Sequence, residues 1–477
     1  MPADYLHGSE TIEINRSPVP VRAVKSAVIG VVGTAPAGPV NALTLLLSES
    51  DAGQFGAGAP GFTLPQALAT LAGYGAGTLL AINVLDPEKH KTSVPDGAVT
   101  FTGSTVSLAH APVMNVTVKT STGNTTLTAG QDYTLDTGRG TLTRIAGGRI
   151  DAGADVRVSY DYPDPTKVTA ADIIGSVDAA GKRTGLKLLA DSYSLNGFDA
   201  RILIAPVYCT LRSVTAELEV LADKLQAVAY VDAPVGVTPQ QAITGRGPSG
   251  TINFNTASGR LRLCWPYVKM YDAQTNADRL EPLSTHAAGL RALTDLDRGY
   301  WWSSSNQLLK GVTGIERPVT ARIDDPQSET NLLNAQGITT VFNSYGTGFR
   351  LWGNRVASYP STTGLLTFEN CRRVKDMTDE AIRASSLPFI DQPVTQALID
   401  TILESVNQYG RKLIGDGALL GFKCWYDKKR NQEATLADGH MLISYKLTPP
   451  PPLERLTLES EITSEYLVNL NGNGGNT

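Results

Sequence analysis

Residues 391–426 read DQPVTQALIDTILESVNQYGRKLIGDGALLGFKCWY, and this stretch determines how the end of the chain folds. Asp391 and Pro393 are typical of a helix start, and Gly415 allows the helix to end. Between them, apolar residues recur every three or four positions, which predicts one long amphipathic helix. Its apolar face carries Leu398, Ile402, Leu403, Val406 and Leu413.

Two runs of alternating apolar and polar residues follow the helix and predict a two-stranded hairpin. The prolines at 449–452 end this hairpin, because proline cannot donate a backbone hydrogen bond to a sheet. Residues 456–462 alternate again and predict a further strand. One face of the first hairpin strand carries Leu420, Phe422, Cys424 and Tyr426, and one face of the second carries Met441, Ile443, Tyr445 and Leu447.

A sheet of this size has open edges. The unpaired backbone groups of an edge strand recruit other strands, so a chain that ends in this way must cover its edges or use them for assembly. The end of the chain therefore points to assembly with other molecules.

Several motifs resemble those of contractile phage tail sheath subunits. The region that contains the long helix and the hairpin is similar to their C-terminal domain, and the stronger match lies just upstream. The motifs are GVTGIERP at 311–318, NLLN at 331–334, GITTV at 337–341, FRLWGNR at 349–355 and, near the N-terminus, YLHG at 5–8 and AVIG at 27–30.

The resemblance implies a structural subunit of a contractile tail, and no enzyme. In that family, hexameric rings stack helically around a tail tube, and the sheath contracts to drive the tube through the bacterial envelope. The implied partners are further copies of the chain, the tail tube protein, and the baseplate and tail terminator proteins. The implied location is the virion tail, assembled in the cytoplasm of the host bacterium. A phage-tail-like bacteriocin or a related injection system is the alternative.

The resemblance also implies arms that add strands to the C-terminal sheet of a neighbouring subunit. In the N-terminal segment, apolar and polar residues alternate over 12–15, although a frayed terminus is the other interpretation. The implied arm residues are Ile12, Glu13, Ile14, Asn15, Tyr466, Val468 and Leu470. The sheet that accepts them is expected to present Phe422, Cys424, Tyr426, Met441, Ile443 and Tyr445.

The rest of the chain predicts a multidomain α/β protein. Strands and helices alternate over 21–94 and 166–355, which predicts a mainly parallel sheet with right-handed crossovers. In sheath proteins this region resembles a subtilisin-like domain in fold only. Short strands and glycine turns at 95–165 predict an inserted β-sandwich or barrel module, placed on the outside of the tail by the resemblance. The expected arms are 1–20 and 463–477, and the expected C-terminal sheath domain, near the tube, is 356–462.

Composition excludes several classes of function. The 477 residues are too many for one ordinary core and carry a net charge of -5, which argues against nucleic acid as a partner. Membrane insertion is not expected, because no apolar run reaches about 20 residues. The N-terminus shows no secretory signal. The four cysteines lie far apart and predict buried, reduced thiols.

The sequence shows no pattern typical of a catalytic site. None of the five histidines lies in the setting that a subtilisin-like triad needs, and no serine nucleophile turn is present. The glycines at 73–77 precede a strand and lack a phosphate-binding pattern. Neither a metal nor a cofactor is therefore expected, and a degenerate hydrolase is the less favoured alternative.

Two clusters stand out for binding or packing. Tyr300, Trp301 and Trp302 are the densest aromatic cluster and predict packing in a core or between domains. Lys428, Lys429 and Arg430 are the one basic cluster and lie in the predicted hairpin loop. A solvated loop is the simpler interpretation, and contact with the inner tube by charge complementarity is the functional one.

Overall fold

The structure is a computed structural model and describes residues 24–247, 249–273 and 275–470. Its strands fall into a large central sheet and several small ones. In chain order they are β1 (Val28–Gly33), β2 (Thr44–Leu46), β3 (Thr78–Asn83), β4 (Lys91–Thr100), β5 (Thr105–Ser107), β6 (Met114–Thr120), β7 (Tyr133–Asp136), β8 (Thr141–Arg144), β9 (Asp155–Pro163), β10 (Ile202–Ile204), β11 (Val228–Asp232), β12 (Leu261–Cys264), β13 (Val268–Asp272), β14 (Ala277–Glu281), β15 (Gln307–Leu308), β16 (Val312–Ile315), β17 (Ile338–Phe342), β18 (Arg350–Trp352), β19 (Gly421–Tyr426) and β20 (Ile443–Thr448).

The α-helices include two long ones near the C-terminus. They are α1 (Glu49–Ala52), α2 (Thr63–Gly73), α3 (Ala170–Ile174), α4 (Ser192–Asn196), α5 (Arg212–Leu225), α6 (Pro239–Thr244), α7 (Leu283–Asp297), α8 (Glu329–Ala335), α9 (Glu369–Ser385), α10 (Gln396–Gly415) and α11 (Glu433–Ala437). None of the helices in the described ranges combines the length and the apolar character needed to cross a membrane.

The central sheet has nine strands in the order β15-β18-β17-β12-β11-β10-β1-β3-β2. The inner strands from β17 to β3 run parallel, and β2, β18 and β15 pair antiparallel at the edges. Strand β1 reads VIGVVG and is buried along its whole length, as expected of a strand covered on both faces. The mixed α/β fold predicted from the alternating pattern is confirmed.

Helices cover both faces of this sheet. Helices α2 and α7 pack on the face that carries Ile29 and Val31, while α3, α5, α6 and α8 pack on the face that carries Val28 and Val32. Because successive side chains of a strand point to opposite faces, β1 contributes residues to two separate apolar layers.

An all-β unit interrupts the α/β chain between β3 and α3. Two antiparallel sheets, β4-β9-β6 and β5-β8-β7, share one apolar core that includes Val118, Leu142 and Val158. The first strand begins at Lys91, earlier than the predicted boundary at 95, because β4 pairs with β9 along nearly its whole length.

The C-terminal part consists of α9, α10 and the hairpin β19–β20. Tyr300 and Trp301 pack against its core beside Tyr409, as expected of the aromatic cluster, whereas Trp302 is half exposed. Helix α10 ends at Gly415 as predicted, but its N-cap is Thr395, whose hydroxyl accepts from the Leu398 amide at 3.2 Å. Asp391 and Pro393 therefore lie before the helix and do not cap it.

Helix α8 begins after Ser328, and the Asp325 side chain accepts from the Gln327 amide in a preceding turn. Strand β10 ends at Ile204, shortly before Pro206, which cannot donate to the sheet. One other expectation from the sequence is wrong. Residues 456–462 form no strand in the described chain, since no neighbouring strand supplies hydrogen bonds.

Candidate assembly surface

The hairpin β19–β20, called the C-terminal hairpin below, packs one face on α10. Cross-strand pairs on this face are Phe422 with Leu447, Cys424 with Tyr445, and Tyr426 with Ile443. Of these residues, Phe422, Cys424, Ile443 and Tyr445 lie with Met441 against the apolar stripe of α10. The six residues predicted to form an accepting sheet, Phe422, Cys424, Tyr426, Met441, Ile443 and Tyr445, are thus brought together.

A glycine allows α10 to approach the hairpin closely. A methyl group added at Gly410 would overlap the ring of Phe422. The helix tolerates this glycine, at a cost of about 1 kcal/mol relative to alanine, because the close packing needs it.

The two edges of the hairpin differ. Asn407 of α10 donates to the carbonyl oxygen of Cys424 at 3.0 Å and accepts from its amide at 2.9 Å. Backbone groups along an antiparallel strand point alternately to its two sides, so Asn407 closes the outer edge of β19 at Cys424.

The outer edge of β20 is open. By the same alternation, the backbone groups of Ile443, Tyr445 and Leu447 point away from β19. In the described chain, β20 pairs with β19 only. An open edge with a half-buried apolar face is the arrangement that accepts an added strand.

Residues 455–464, called the tail segment below, follow the hairpin as a largely exposed chain that forms neither helix nor strand. Its apolar side chains Leu458 and Ile462 are 82% and 102% exposed. Such side chains are exposed at a cost of about 1.5–3 kcal/mol each relative to full burial. The segment thus carries an alternating apolar pattern without an apolar partner in the described chain.

The root of the tail segment is held on the body of the protein. Glu454 forms an ion pair with Arg355, with 2.6 Å between Oε2 and Nη2, and the Arg355 guanidinium stacks over Phe368 at 3.6 Å. The carbonyl of Pro450 accepts from the Asn370 side chain at 3.2 Å. Residues 449–454 are therefore fixed, and the chain leaves the body after Glu454.

The predicted arm residues are placed only in part. Ile12, Glu13, Ile14 and Asn15 lie outside the described residues. Tyr466 is exposed and, with the backbone of Val468 and Leu470, belongs to a 3-10 turn at Glu465–Leu470. The predicted strand forms only on a neighbouring subunit, so donation by Tyr466, Val468 and Leu470 stays a prediction.

The basic cluster lies directly after β19, in the connection that also contains α11 and leads to β20. Lys428, Lys429 and Arg430 form a single exposed 3-10 turn, capped by Asp427, whose side chain accepts from the Lys429 amide. Arg430 reaches back to β20 and donates to the Ser444 hydroxyl at 3.1 Å. The predicted loop position is confirmed.

A buried belt of charges, which the sequence pattern did not reveal, joins α9 to the central sheet and to α7. Glu369 pairs with Arg262 at 2.7 Å and accepts from the Tyr230 hydroxyl at 2.6 Å. Arg373 pairs with Asp295, and Asp376 accepts two bonds from Arg260. Glu369, Arg373, Asp376 and Glu380 recur at helical spacing, which is the signal that could have revealed a buried polar stripe.

The belt stabilises the charged form of its central carboxylate. Burial raises the pKa of Glu369, but the positive charges of Arg262, Arg291 and Arg373 more than offset this, so its pKa lies below the usual value. Three ion pairs and the Tyr230 hydroxyl thus fix the C-terminal part on the body.

His286 comes nearest to catalytic geometry. It is fully buried, with one ring nitrogen 3.1 Å from Glu281 and the other 3.1 Å from the Tyr74 hydroxyl. This fully buried chain of hydrogen bonds, from Glu281 through His286 to Tyr74, packs α7 against the end of α2. The four cysteines are unpaired and buried, as predicted, and burial raises the pKa of the Cys424 thiol to about 11.

Comparison with known proteins assigns the family. The chain is 59% identical over 475 residues to the tail sheath protein of Burkholderia phage BcepMu, covering 99% of this chain and all of that protein. The chain belongs to the contractile phage tail sheath family. Within this sheath protein, residues 181–357 match the family described as phage tail sheath protein central domain, and residues 361–463 match the phage tail sheath C-terminal domain.

Two further comparisons extend this result. The sheath protein is 33% identical over 302 residues to the tail sheath protein of Escherichia phage P2, which covers 63% of this chain and 73% of that protein. Its fold is similar to that in a cryo-EM structure of a contracted sheath complex from an extracellular contractile injection system, with a TM-score of 0.60 at 14% identity, over 98% and 99% of the two chains. Residues 86–172, which contain the β-sandwich, match a family of unknown function.

Proposed function

We propose that this tail sheath protein polymerises into stacked hexameric rings around a tail tube and contracts to drive the tube through the host envelope. The observation that carries the proposal is the combination of an open β20 edge with an exposed, alternating tail segment in the same chain. Each copy then both offers and accepts a strand, which is the requirement for a polymer that extends without end.

The geometry of the tail root favours donation to another copy. Four consecutive prolines after β20 form a stiff extended spacer, at about 3 Å per residue, and exclude a tight turn back onto β20. The Glu454–Arg355 ion pair then holds the chain against the α/β body. Both features direct the tail segment away from its own hairpin.

The links would hold while the bodies move. A donated strand adds several backbone hydrogen bonds at a net value of about 1 kcal/mol each, together with burial of exposed leucine and isoleucine side chains. The buried charge belt keeps the C-terminal part and the α/β body together as one unit. Contraction is then an exchange of contacts between rigid bodies whose strand links persist, and the energy is stored in the packing of the two lattice states.

Several finer assignments belong to the same proposal. The α/β body is subtilisin-like in fold, the β-sandwich faces outward, and the C-terminal domain lies next to the tube. The N-terminal arm at 12–15 donates a second strand, and Lys428, Lys429 and Arg430 contact the tube. Assembly takes place in the host cytoplasm with baseplate and tail terminator proteins.

Electron microscopy of the purified protein, with and without tube protein, tests the proposal. We expect sheath-like tubes from the full chain, and folded monomers without tubes when residues 1–20 or residues 455–477 are deleted. Circular dichroism shows whether each truncated chain is folded. Normal tubes from both deletions would contradict the strand-donation model.

A further inference from the structure

The outer face of the C-terminal hairpin carries positive charges that have no acidic partner in the described chain. Lys446 of β20 lies directly opposite Lys423 of β19, and both are exposed. Like charges in directly opposite positions destabilise a sheet. A surface that keeps such a pair is suited to an acidic partner.

The cationic positions along β20 are two residues apart. Lys446 stands on the outer face, and Arg430 is held over Ser444, the next residue on that face, by a hydrogen bond of 3.1 Å. Residues i and i+2 of a strand lie about 6.6–6.8 Å apart on the same face. The open edge of β20 therefore presents two positive charges at strand spacing.

The tail segment has the complementary pattern. Glu459 and Glu461 are also two residues apart, are exposed, and have no ion pair in the part of the chain that the structure describes. Leu458 and Ile462 fall on the opposite face of an extended chain. A strand with this sequence beside β20 places its carboxylates on the charged outer face and its apolar residues on the face toward α10.

We propose that Glu459 and Glu461 of a second copy pair with Lys446 and Arg430, and that these charges fix the face and register of the donated strand at β20. This inference rests on the proposed strand donation and adds the residues that make it specific. Because Arg430 is turned back onto Ser444 of β20, it is assigned here to the donated strand, which leaves Lys428 and Lys429 of the basic turn for the tube. Only β20 fits, because Asn407 closes the outer edge of β19. A slip by one residue would turn the glutamates toward the apolar face and the leucine toward the lysine. A slip by two residues would keep the faces but leave only one of the two charge pairs.

A charge-swap experiment on the full-length protein tests the pairing. The variants are K446E/R430E, E459K/E461K and the combination of all four, and the measurement is the concentration at which sheath-like tubes first form, by sedimentation and negative-stain microscopy. We expect each double variant to raise this concentration about tenfold, since two surface pairs are replaced by repulsion. The fourfold variant should return to within about twofold of the unmodified chain.

The possible results distinguish failure of the charge pairing from failure of the proposed function. Unchanged assembly of the double variants, or failure of the fourfold variant to recover, overturns the pairing while leaving strand donation intact. If the unmodified protein never forms tubes, the proposed function itself fails.

The control variant R139E/K119E, in the β-sandwich, makes the same change of charge and should assemble normally. If a reversal prevents folding, the neutral pairs K446Q/R430Q and E459Q/E461Q are compared instead, and strictly additive effects would then refute the pairing.

Discussion

Arg262 and Glu369 form a buried ion pair with 2.7 Å between Nη1 and Oε2, although 107 residues separate them in the chain. Arg262 lies in the central sheet and Glu369 opens α9, so this pair joins the α/β body to the C-terminal part. The proposed strand links between subunits would move a whole subunit only if such joints do not open. A rigid joint inside the subunit is therefore needed for a strand bound at the open hairpin edge to move the α/β body.

Breaking this joint should destabilise the protein strongly. Glu369→Ala leaves the buried guanidinium of Arg262 without its carboxylate, and we expect a loss of about 3–5 kcal/mol in the free energy of unfolding. Chemical denaturation followed by circular dichroism measures this loss. Arg322→Ala removes an exposed pair with Asp324 and should leave the unfolding midpoint unchanged. Equal midpoints for the two variants would contradict the structural role of Glu369.

The close approach of α10 to the hairpin gives a second prediction. Gly410→Ala places a methyl group against the ring of Phe422 and should cost about 1–3 kcal/mol through forced repacking. Gly415→Ala in the same helix meets no atom within 4 Å and should be neutral or slightly stabilising. Thermal unfolding of both variants makes the comparison. A Gly410→Ala protein as stable as Gly415→Ala would show that α10 can move away from the hairpin at little cost.

The spacing of apolar residues predicted most of the helices and strands, because this spacing and the buried face that it marks are visible within one short stretch of sequence. The apolar stripe of α10 and the alternation in β19 each identify an element and its buried face, and the structure has both. The belt at Glu369 and Arg373 was missed, since a charged residue normally indicates an exposed face, and only the fold brings a partner from a distant strand. Likewise, the hydrogen bonds of Asn407 that distinguish the two hairpin edges depend on tertiary structure alone.

Asp232 gives a prediction for the pH dependence of stability. It is buried at the end of β11, accepts from the Ser284 amide at 2.8 Å, and burial raises its pKa to about 6. In the unfolded chain the pKa is near 3.8, so the folded state binds the proton more tightly, and its contribution to stability is present at low pH and lost as the pH rises to about 6.

The variant Asp232→Asn should remove this dependence, because the amide does not titrate and can still accept from Ser284. Relative to the unmodified protein, its free energy of unfolding should rise by about 1–2 kcal/mol between pH 5 and pH 7.5. Urea denaturation across this range measures the difference. Asp438→Asn, at an exposed position, should show no such trend. A constant difference between Asp232→Asn and the unmodified protein would mean that Asp232 does not titrate in this range.

Loss of the ion pair between Glu454 and Arg355 should impair assembly while leaving the stability of the fold nearly unchanged. Glu454→Ala removes a partly exposed pair, so the unfolding midpoint should change little. The tail segment would then no longer leave the body in a fixed direction, and the entropy lost on strand donation would increase. We therefore expect a several-fold higher concentration for tube formation and faster proteolytic cleavage within 455–464.

Glu404→Ala is the matched control, because Glu404 also forms an exposed ion pair, with Arg411, but lies on α10 away from the tail root. Its tube formation and proteolysis should follow those of the unmodified protein. Cleavage rates and assembly of Glu454→Ala equal to those of Glu404→Ala would mean that the prolines at 449–452 and the Asn370–Pro450 contact suffice to direct the tail. If only Glu454→Ala is impaired while both proteins unfold at the same midpoint, the ion pair orients the donated strand without contributing to the fold.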